Sequence, residues 1–199
     1  MTKKKTVQKK LFALILGVTM VFSLAACGGG NSGETEAPGT YTPTPLDEKT
    51  VYYADIDIKD YGLITVKLNQ SEAPVTCANF VALAEDKFYD GLTFHRIMEG
   101  FMMQGGDPQG TGIGGSDNNI VGEFSSNGHE NTLSHTRGVI SMARSNDPNS
   151  ASSQFFICHE DSTFLDGEYA AFGQVTEGLD VVDAVCKKAE PTDDNGTIP

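Results

Sequence analysis

Residues 94–107, FHRIMEGFMMQGGD, set one arginine and one glutamine among aromatic and thioether side chains. Arg96 and Gln104 stand in two short apolar runs, and the second run ends at the pair Gly105 and Gly106. Apolar runs of this length, bounded by glycine, predict β-strands. An arginine in such a strand usually extends its charge to solvent or pairs with an acid, so the pattern alone leaves packing and function both open. The stretch predicts paired strands that carry one cation on an apolar surface.

Further apolar runs of strand length follow along the chain. With the two above, the predicted strands are residues 93–97, 101–104, 139–143, 154–158 and 170–174. Upstream, apolar and polar residues alternate on both sides of a turn at residues 60–62, which predicts a hairpin with one buried face. Residues 105–128 are rich in glycine and lack periodicity, so they predict a long surface loop. Many short strands favour a mainly β sandwich or barrel.

Two helices are predicted, one after the hairpin and one near the end of the chain. Ser71 is suited to cap the first, and Pro74 falls in its first turn. The second is predicted over residues 177–188, where apolar side chains recur at helical spacing and two lysines close the segment. Residues 189–199 predict a polar loop.

The N-terminus predicts an export signal. Five lysines precede an apolar run at residues 11–24, which is short for a membrane span. The run closes in Leu24-Ala25-Ala26-Cys27, which resembles a bacterial lipobox; the resemblance implies cleavage before Cys27 and attachment of the chain to the lipid bilayer through its acylated thiol. An ordinary cleavage site beside an accidental cysteine is the alternative.

The predicted organisation has three parts. Residues 1–26 form a signal peptide of lipoprotein type, residues 27–50 a lipidated cysteine with a flexible linker, and residues 51–199 one domain. We expect the mature protein to lie outside the cytoplasm on the cell membrane and to be a monomer.

Charge and cysteine content exclude several classes of protein. Without residues 1–26, the chain keeps nine basic and 27 acidic side chains, an excess that argues against nucleic acid as a partner. Besides Cys27, the cysteines are Cys77, Cys158 and Cys186, an odd number without CxxC spacing, so buried free thiols are predicted. His129, His135 and His159 lack the spacing of metal ligands and are predicted to be polar surface or loop groups.

Several motifs together resemble the cyclophilin family of peptidyl-prolyl cis-trans isomerases. They are FHRI at residues 94–97, GFMMQGGD at 100–107, GVISMA at 138–143, SQFFI at 153–157, LDG at 165–167 and FG at 172–173. The resemblance runs in order from about residue 53 to residue 188. It implies a closed antiparallel β-barrel of eight strands, capped by two α-helices, with a substrate groove on its outer wall. The polar end of this chain predicts that the last barrel strand is missing, which would leave an open edge and lower stability.

The resemblance also implies roles for individual residues. Arg96 matches the catalytic arginine, with His95 beside it and Gln104 steadying it. The substrate-binding positions that it implies are Phe101, Met102, Ala143, Phe156, Phe164, Leu165 and Tyr169. Phe155 and Phe156 are neighbours on one strand and must face opposite sides, so one fills the core and the other can line a groove.

Three positions depart from the common family pattern. Arg144 stands where many eukaryotic members carry asparagine, as it does in similar bacterial sequences. Phe164 stands where tryptophan is frequent and Tyr169 where histidine is frequent. Without the indole N–H donor, cyclosporin binding is expected to be weak at most.

The chemistry of such a site is consistent with these residue types. The barrier to rotation about the peptide bond is about 18–20 kcal/mol, because the nitrogen shares its lone pair with the carbonyl. A guanidinium aimed at the prolyl nitrogen would weaken that sharing, with no cofactor or metal. The function predicted is peptidyl-prolyl isomerisation that assists the folding of secreted or surface proteins. The alternative left open is a proline-binding module or holdase with little catalysis, whereas a serine hydrolase lacks its GxSxG motif.

Overall fold

A hairpin starts the main sheet, as the alternating sequence predicts. Its strands are β2 (Val51–Ile58) and β3 (Gly62–Leu68), paired antiparallel so that Ile56 lies opposite Ile64. Asp60 takes a positive φ of 68° in the turn. The computed structural model describes residues 4–6 and 39–199. Within that range, Ile64 and Val66 of β3 are fully buried, so the hairpin has one buried face, as predicted.

The other strands follow the predicted apolar runs with shifted ends. Their bounds are Lys4–Thr6 for β1, Arg96–Met98 for β4, Met102–Gly105 for β5, Val139–Met142 for β6, Phe155–Cys158 for β7 and Ala171–Glu177 for β8. The order across the sheet is β1-β2-β3-β8-β6-β7-β5-β4. β1 pairs parallel with β2, and the seven strands from β2 to β8 pair antiparallel.

The sheet does not close within the described residues. The bonded order ends at β1 on one side and at β4 on the other, so the closed barrel predicted from the sequence is not confirmed. The edge of β4 is covered instead by the end of the chain, where Ile97 N donates to Gly196 O and Ile198 N donates to His95 O. The polar loop predicted for residues 189–199 therefore contributes a short backbone pairing to the sheet.

Helix α1 (Pro74–Glu85) begins without a side-chain cap of its own. The prediction that Ser71 caps it is wrong, because Ser71 Oγ donates to Asn69 Oδ1 instead. The buried carboxylate of Glu123, 47 residues beyond Thr76, accepts hydrogen bonds from Val75 N at 2.9 Å, Thr76 N at 2.8 Å and Thr76 Oγ1 at 2.7 Å. A remote acid thus satisfies the free N–H groups of the first turn.

Helix α2 (Leu179–Lys188) forms where a helix was predicted and starts two residues later. It turns Val181, Val182, Val185 and Cys186 into the core and ends in two lysines. Pro74 lies at the first position of α1, as predicted. No helix among the described residues is long and apolar enough to cross a membrane.

The three cysteines of the domain are buried free thiols, as predicted. Cys77 and Cys186 lie in the main core, and Cys158 lies on the opposite side of the sheet. Burial raises the pKa of Cys158 and Cys186 to about 12, so these thiols stay protonated.

Part of the segment predicted to be a linker is docked on the domain. In residues 39–50, Pro43 is buried, Leu46 packs against the main core and Tyr41 N donates to Asn119 O. These twelve residues form no helix or strand, but they are not free of the core. Of the predicted signal segment and Cys27, only residues 4–6 fall within the described part of the chain.

Candidate active site

The site lies on the face of the sheet that turns away from the main core. Side-chain alternation along β5 and β7 sends Met103 and Phe155 into that core and Met102 and Phe156 to the opposite face. This confirms the prediction that the two phenylalanines face opposite sides. Met102 and Phe156 form a second apolar cluster, against which Leu165 packs.

A cavity of about 340 Å³ opens over this second cluster. Nine of the ten predicted site residues line it: His95, Arg96, Phe101, Met102, Gln104, Ala143, Phe156, Leu165 and Tyr169. Phe164 does not. It is 72% exposed and packs on the ring of Phe101 with 5.6 Å between ring centroids, so it extends the rim of the site.

Arg96 is the cation at the mouth of this cavity, and its partners are neutral. Its Nε donates to the main-chain oxygen of Asn195 at 2.7 Å, one terminal nitrogen donates to Gln104 Oε1 at 3.3 Å and the other contacts Met98 Sδ at 3.4 Å. The guanidinium carbon lies 6.0 Å from the centroid of the Phe101 ring. Among the described residues no carboxylate forms an ion pair with Arg96, so the charge is oriented without being neutralised.

Gln104 is held by a residue that the sequence did not single out. Its side-chain nitrogen donates to Gln154 Oε1 at 2.8 Å. The nitrogen of Gln154 in turn donates to Gly112 O and Gly114 O, at 3.1 and 2.7 Å. Gln154 belongs to the SQFFI motif, so its place beside Phe155 in the family motif was the available signal.

The loop that follows β5 is organised around a buried acid. Asp107, 1% exposed, accepts hydrogen bonds from the backbone N–H groups of Gln109, Thr111, Gly112 and Gly114. Burial acts to raise the pKa of Asp107, but these hydrogen bonds outweigh it and hold the pKa below its usual range. The charged carboxylate thereby fixes one wall of the cavity, where sequence periodicity indicated only an irregular loop.

His95 is buried beside Arg96, and neither of its ring nitrogens has a hydrogen-bond partner in the described structure. Burial lowers its pKa; the charge of Asp107 opposes this and that of Arg96 adds to it. The ring is therefore neutral at pH 7 and contributes its shape to the groove.

The far wall of the cavity is formed by an arginine between two aromatic rings. The Arg144 guanidinium carbon lies 5.0 Å from the Phe124 ring centroid and 4.7 Å from that of Tyr169. Its Nε and a terminal nitrogen donate to Glu168 O. Arg144 lines the cavity, although it was not among the predicted site residues.

The three histidines lie in loops, as predicted, but two of them are buried and do not lie at the surface. His135 is fully buried, with Nδ1 2.8 Å from Asp166 Oδ1, Nε2 3.0 Å from Ser141 Oγ and its ring stacked against Phe156. His159 is also buried, and its Nδ1 accepts a hydrogen bond from Gly100 N at 2.8 Å. His135 packs behind Phe156, and His159 binds the backbone next to Phe101, so both stabilise residues that line the cavity. No group of His, Cys, Asp and Glu suited to a metal ion occurs among the described residues.

This arrangement defines a class of site: a cavity with an apolar cluster on one side and the Arg96 guanidinium, held by neutral partners, beside it. Such a site is suited to a group that is apolar on one side and carries a polarisable amide on the other. Residues 53–198 match the family model for cyclophilin type peptidyl-prolyl cis-trans isomerases. The chain belongs to this family.

Similar proteins agree with the family match. A peptidyl-prolyl cis-trans isomerase of Synechococcus elongatus is 48% identical over 123 residues, 61% of this chain and 80% of the relative. Peptidyl-prolyl cis-trans isomerase B of Bacillus subtilis is 44% identical over 132 residues, 66% of this chain and 87% of the relative. This degree of similarity identifies the chain as a peptidyl-prolyl cis-trans isomerase.

Solved structures support the same fold. A cyclophilin type isomerase of Cryptosporidium parvum, crystallised in the presence of the dipeptide Ala-Pro, superposes with a TM-score of 0.66 at 32% identity. The superposition covers 74% of this chain and 91% of that one. The fold is thus a mainly β cyclophilin fold with a seven-stranded antiparallel sheet and two helices.

Proposed function

We propose that Arg96 accelerates X–Pro rotation by donating a hydrogen bond to the prolyl nitrogen. Such a bond draws the lone pair onto nitrogen and lowers the double-bond character that causes the barrier of about 18–20 kcal/mol. The observation that carries the proposal is the set of partners of Arg96, which are a carbonyl, an amide and a thioether rather than an acid. The full charge stays available to the substrate, and the low dielectric of the apolar wall strengthens it.

The apolar side of the cavity is where we place the proline ring. Met102, Phe156 and Leu165 offer a surface free of hydrogen-bonding groups, which suits a pyrrolidine ring without an N–H donor. Holding the ring there leaves the preceding carbonyl free to swing toward solvent. His95 and Gln104 border the same cavity and complete the proposed catalytic group.

The test is a coupled isomerisation assay on a short X–Pro peptide. We expect Arg96→Ala to lower kcat/KM by about 100-fold, the loss typical of removing one transition-state donor. Lys59→Ala, a charge change on the exposed end of the hairpin, is the control and should keep wild-type activity. If Arg96→Ala retains the wild-type rate, the proposed mechanism is wrong; if it binds proline peptides normally but no longer accelerates rotation, binding and catalysis are separable.

We further propose that the clients are secreted or surface proteins, whose folding the enzyme assists from a lipid anchor at Cys27. The support is the lysine-rich and apolar N-terminus, the LAAC sequence and the acidic body that follows them. The same proposal includes a monomeric enzyme that binds cyclosporin weakly at most. Phe164 presents a ring without a hydrogen-bond donor at the rim, which supports weak binding of this ligand.

A further inference from the structure

The shortest hydrogen bond of Arg96 comes from a segment near the end of the chain. Asn195 O accepts from Arg96 Nε at 2.7 Å, whereas the contacts of the terminal nitrogens with Gln104 and Met98 measure 3.3 and 3.4 Å. Because Nε lies in the plane of the guanidinium, a short hydrogen bond at Nε fixes the orientation of the whole planar group and of its other N–H donors. The main restraint on the direction of the guanidinium therefore lies 99 residues away in sequence.

The segment that provides this acceptor, residues 193–198, is a turn held together by the side chain of Asp193. The Oδ1 atom of Asp193 accepts from Asn195 N and Thr197 N, each at 3.0 Å, and its Oδ2 accepts from Thr197 Oγ1 at 2.8 Å. Gly196 N donates to Asp193 O at 3.1 Å. One carboxylate thus holds both sides of the turn, with Asn195 at its tip. The hydrogen bonds from Thr197 and Asn195 also keep the pKa of Asp193 below its usual range, so the carboxylate is charged at neutral pH.

The turn is seated directly on the strand that carries Arg96. Thr197 forms a bridge with Arg96 and also lines the cavity, while Ile198 packs against the main core. Gly196 has φ +82°, and a Cβ there would lie 2.5 Å from Ile97 O. A glycine is required at this position for the approach, because any side chain would push the turn away from the strand.

We propose that residues 193–198 form a positioning element for Arg96, in which Asp193 and Gly196 set the orientation of the guanidinium without contacting substrate. An arginine on an open strand samples many rotamers, and only some direct its N–H groups into the cavity. The hydrogen bond to the Asn195 carbonyl restricts Arg96 to one of these rotamers before substrate binds. The side-chain entropy of Arg96 is therefore lost on folding and not on substrate binding. The proposal rests on the proposed role of Arg96.

Variants of the turn separate this role from simple stability. We expect Asp193→Ala and Gly196→Ala to lower kcat/KM by about tenfold, mainly through kcat, since the apolar surface proposed to hold the proline ring lies outside the turn. Asp193→Asn keeps an oxygen for both backbone N–H groups and should recover most of the activity. Asp194→Ala and Asn195→Ala are matched controls that should stay within about twofold of wild type, because the acceptor is a main-chain oxygen.

An NMR measurement gives a readout independent of activity. The N–H group at Arg96 Nε should exchange slowly with water in the wild type, and its exchange should accelerate in Asp193→Ala and Gly196→Ala but not in the controls. Unchanged exchange in both variants, or equal loss of activity in the controls, would overturn the proposal. If exchange accelerates as expected while Arg96→Ala remains fully active, the positioning element stands and the proposed catalytic role of Arg96 is the part that fails.

Discussion

His135 shows how one buried side chain can make the enzyme sensitive to acid. Its ring lies between Asp166 and Ser141 and stacks on Phe156. Burial lowers the pKa of His135, and the hydrogen bond and charge of Asp166 only partly oppose this. The ring is neutral in the folded protein at pH 7 and would take up a proton more readily in the unfolded chain.

We therefore expect acid to destabilise the fold through His135. A base with a lowered pKa in the folded state contributes stability above its unfolded pKa of about 6.5, and this contribution is lost as the pH falls toward the folded pKa. The free energy of unfolding, measured with urea at pH 7 and pH 5, should fall on acidification. His135→Gln should be less stable at pH 7 but show a flatter pH dependence.

His95, whose pKa burial also lowers, contributes in the same direction, so His95→Gln should flatten the dependence separately. A wild-type pH dependence in His135→Gln would contradict the assignment. Asp166 acts only in stronger acid: burial favours its protonation, but hydrogen bonds from Ser134 and His135 hold its pKa below the usual range. Its contribution is present above about pH 3.9 and is lost as the pH falls through the folded pKa.

At the level of single residues, the sequence identified the cation, the apolar wall and the contact of Gln104 with Arg96, but it missed the more distant residues that hold this pair. Arg96, Phe101, Met102 and Phe156 stand in short motifs with local patterns. Asn195, which accepts from Arg96, and Gln154, which accepts from Gln104, lie far from these residues in the chain. Contacts of that kind leave no periodic signal, since only folding brings the residues together.

Among the secondary-structure elements, α1 depends most clearly on another part of the chain. The carboxylate of Glu123, 2% exposed, replaces the missing side-chain cap at the start of the helix. Ser71 met the sequence rules for a cap, yet tertiary structure provided a better acceptor in a segment with no regular pattern. Strand and helix positions could be predicted because their apolar periodicity is local, whereas the cap could not.

We expect Glu123→Gln to destabilise the fold by about 1–3 kcal/mol, the range for leaving a buried hydrogen-bonding group unpaired. The amide keeps one acceptor oxygen but turns an N–H₂ group toward the backbone donors of Val75 and Thr76. Urea unfolding at pH 7 measures the difference, and the exposed Glu130→Gln is the matched control. Equal midpoints for the two variants would show that the cap contributes nothing measurable.

For the whole molecule, the strands and helices could be predicted from the sequence, but the pairing at the two edges of the sheet could not. The mainly β class, the hairpin and both helices follow from patterns within short segments. The two ends of the sheet depend on what pairs with β2 and β4, and the segment that covers β4 is a polar stretch without strand character. Edge pairing uses backbone groups that every residue carries, so the sequence gives little sign of it.

The location of the whole molecule gives the last prediction. The proposed anchor requires that Cys27 be acylated, and acylation uses its thiol. Cells that express the full chain and are labelled with a radioactive fatty acid should yield a labelled protein in the membrane fraction. Cys27→Ser should abolish the label, whereas Cys186→Ser, which changes a buried thiol of the domain, should retain it. A chain that stays unlabelled, or a label that persists in Cys27→Ser, would rule out this anchor and leave the isomerase activity of the domain untouched, since the cavity lies wholly within residues 95–197.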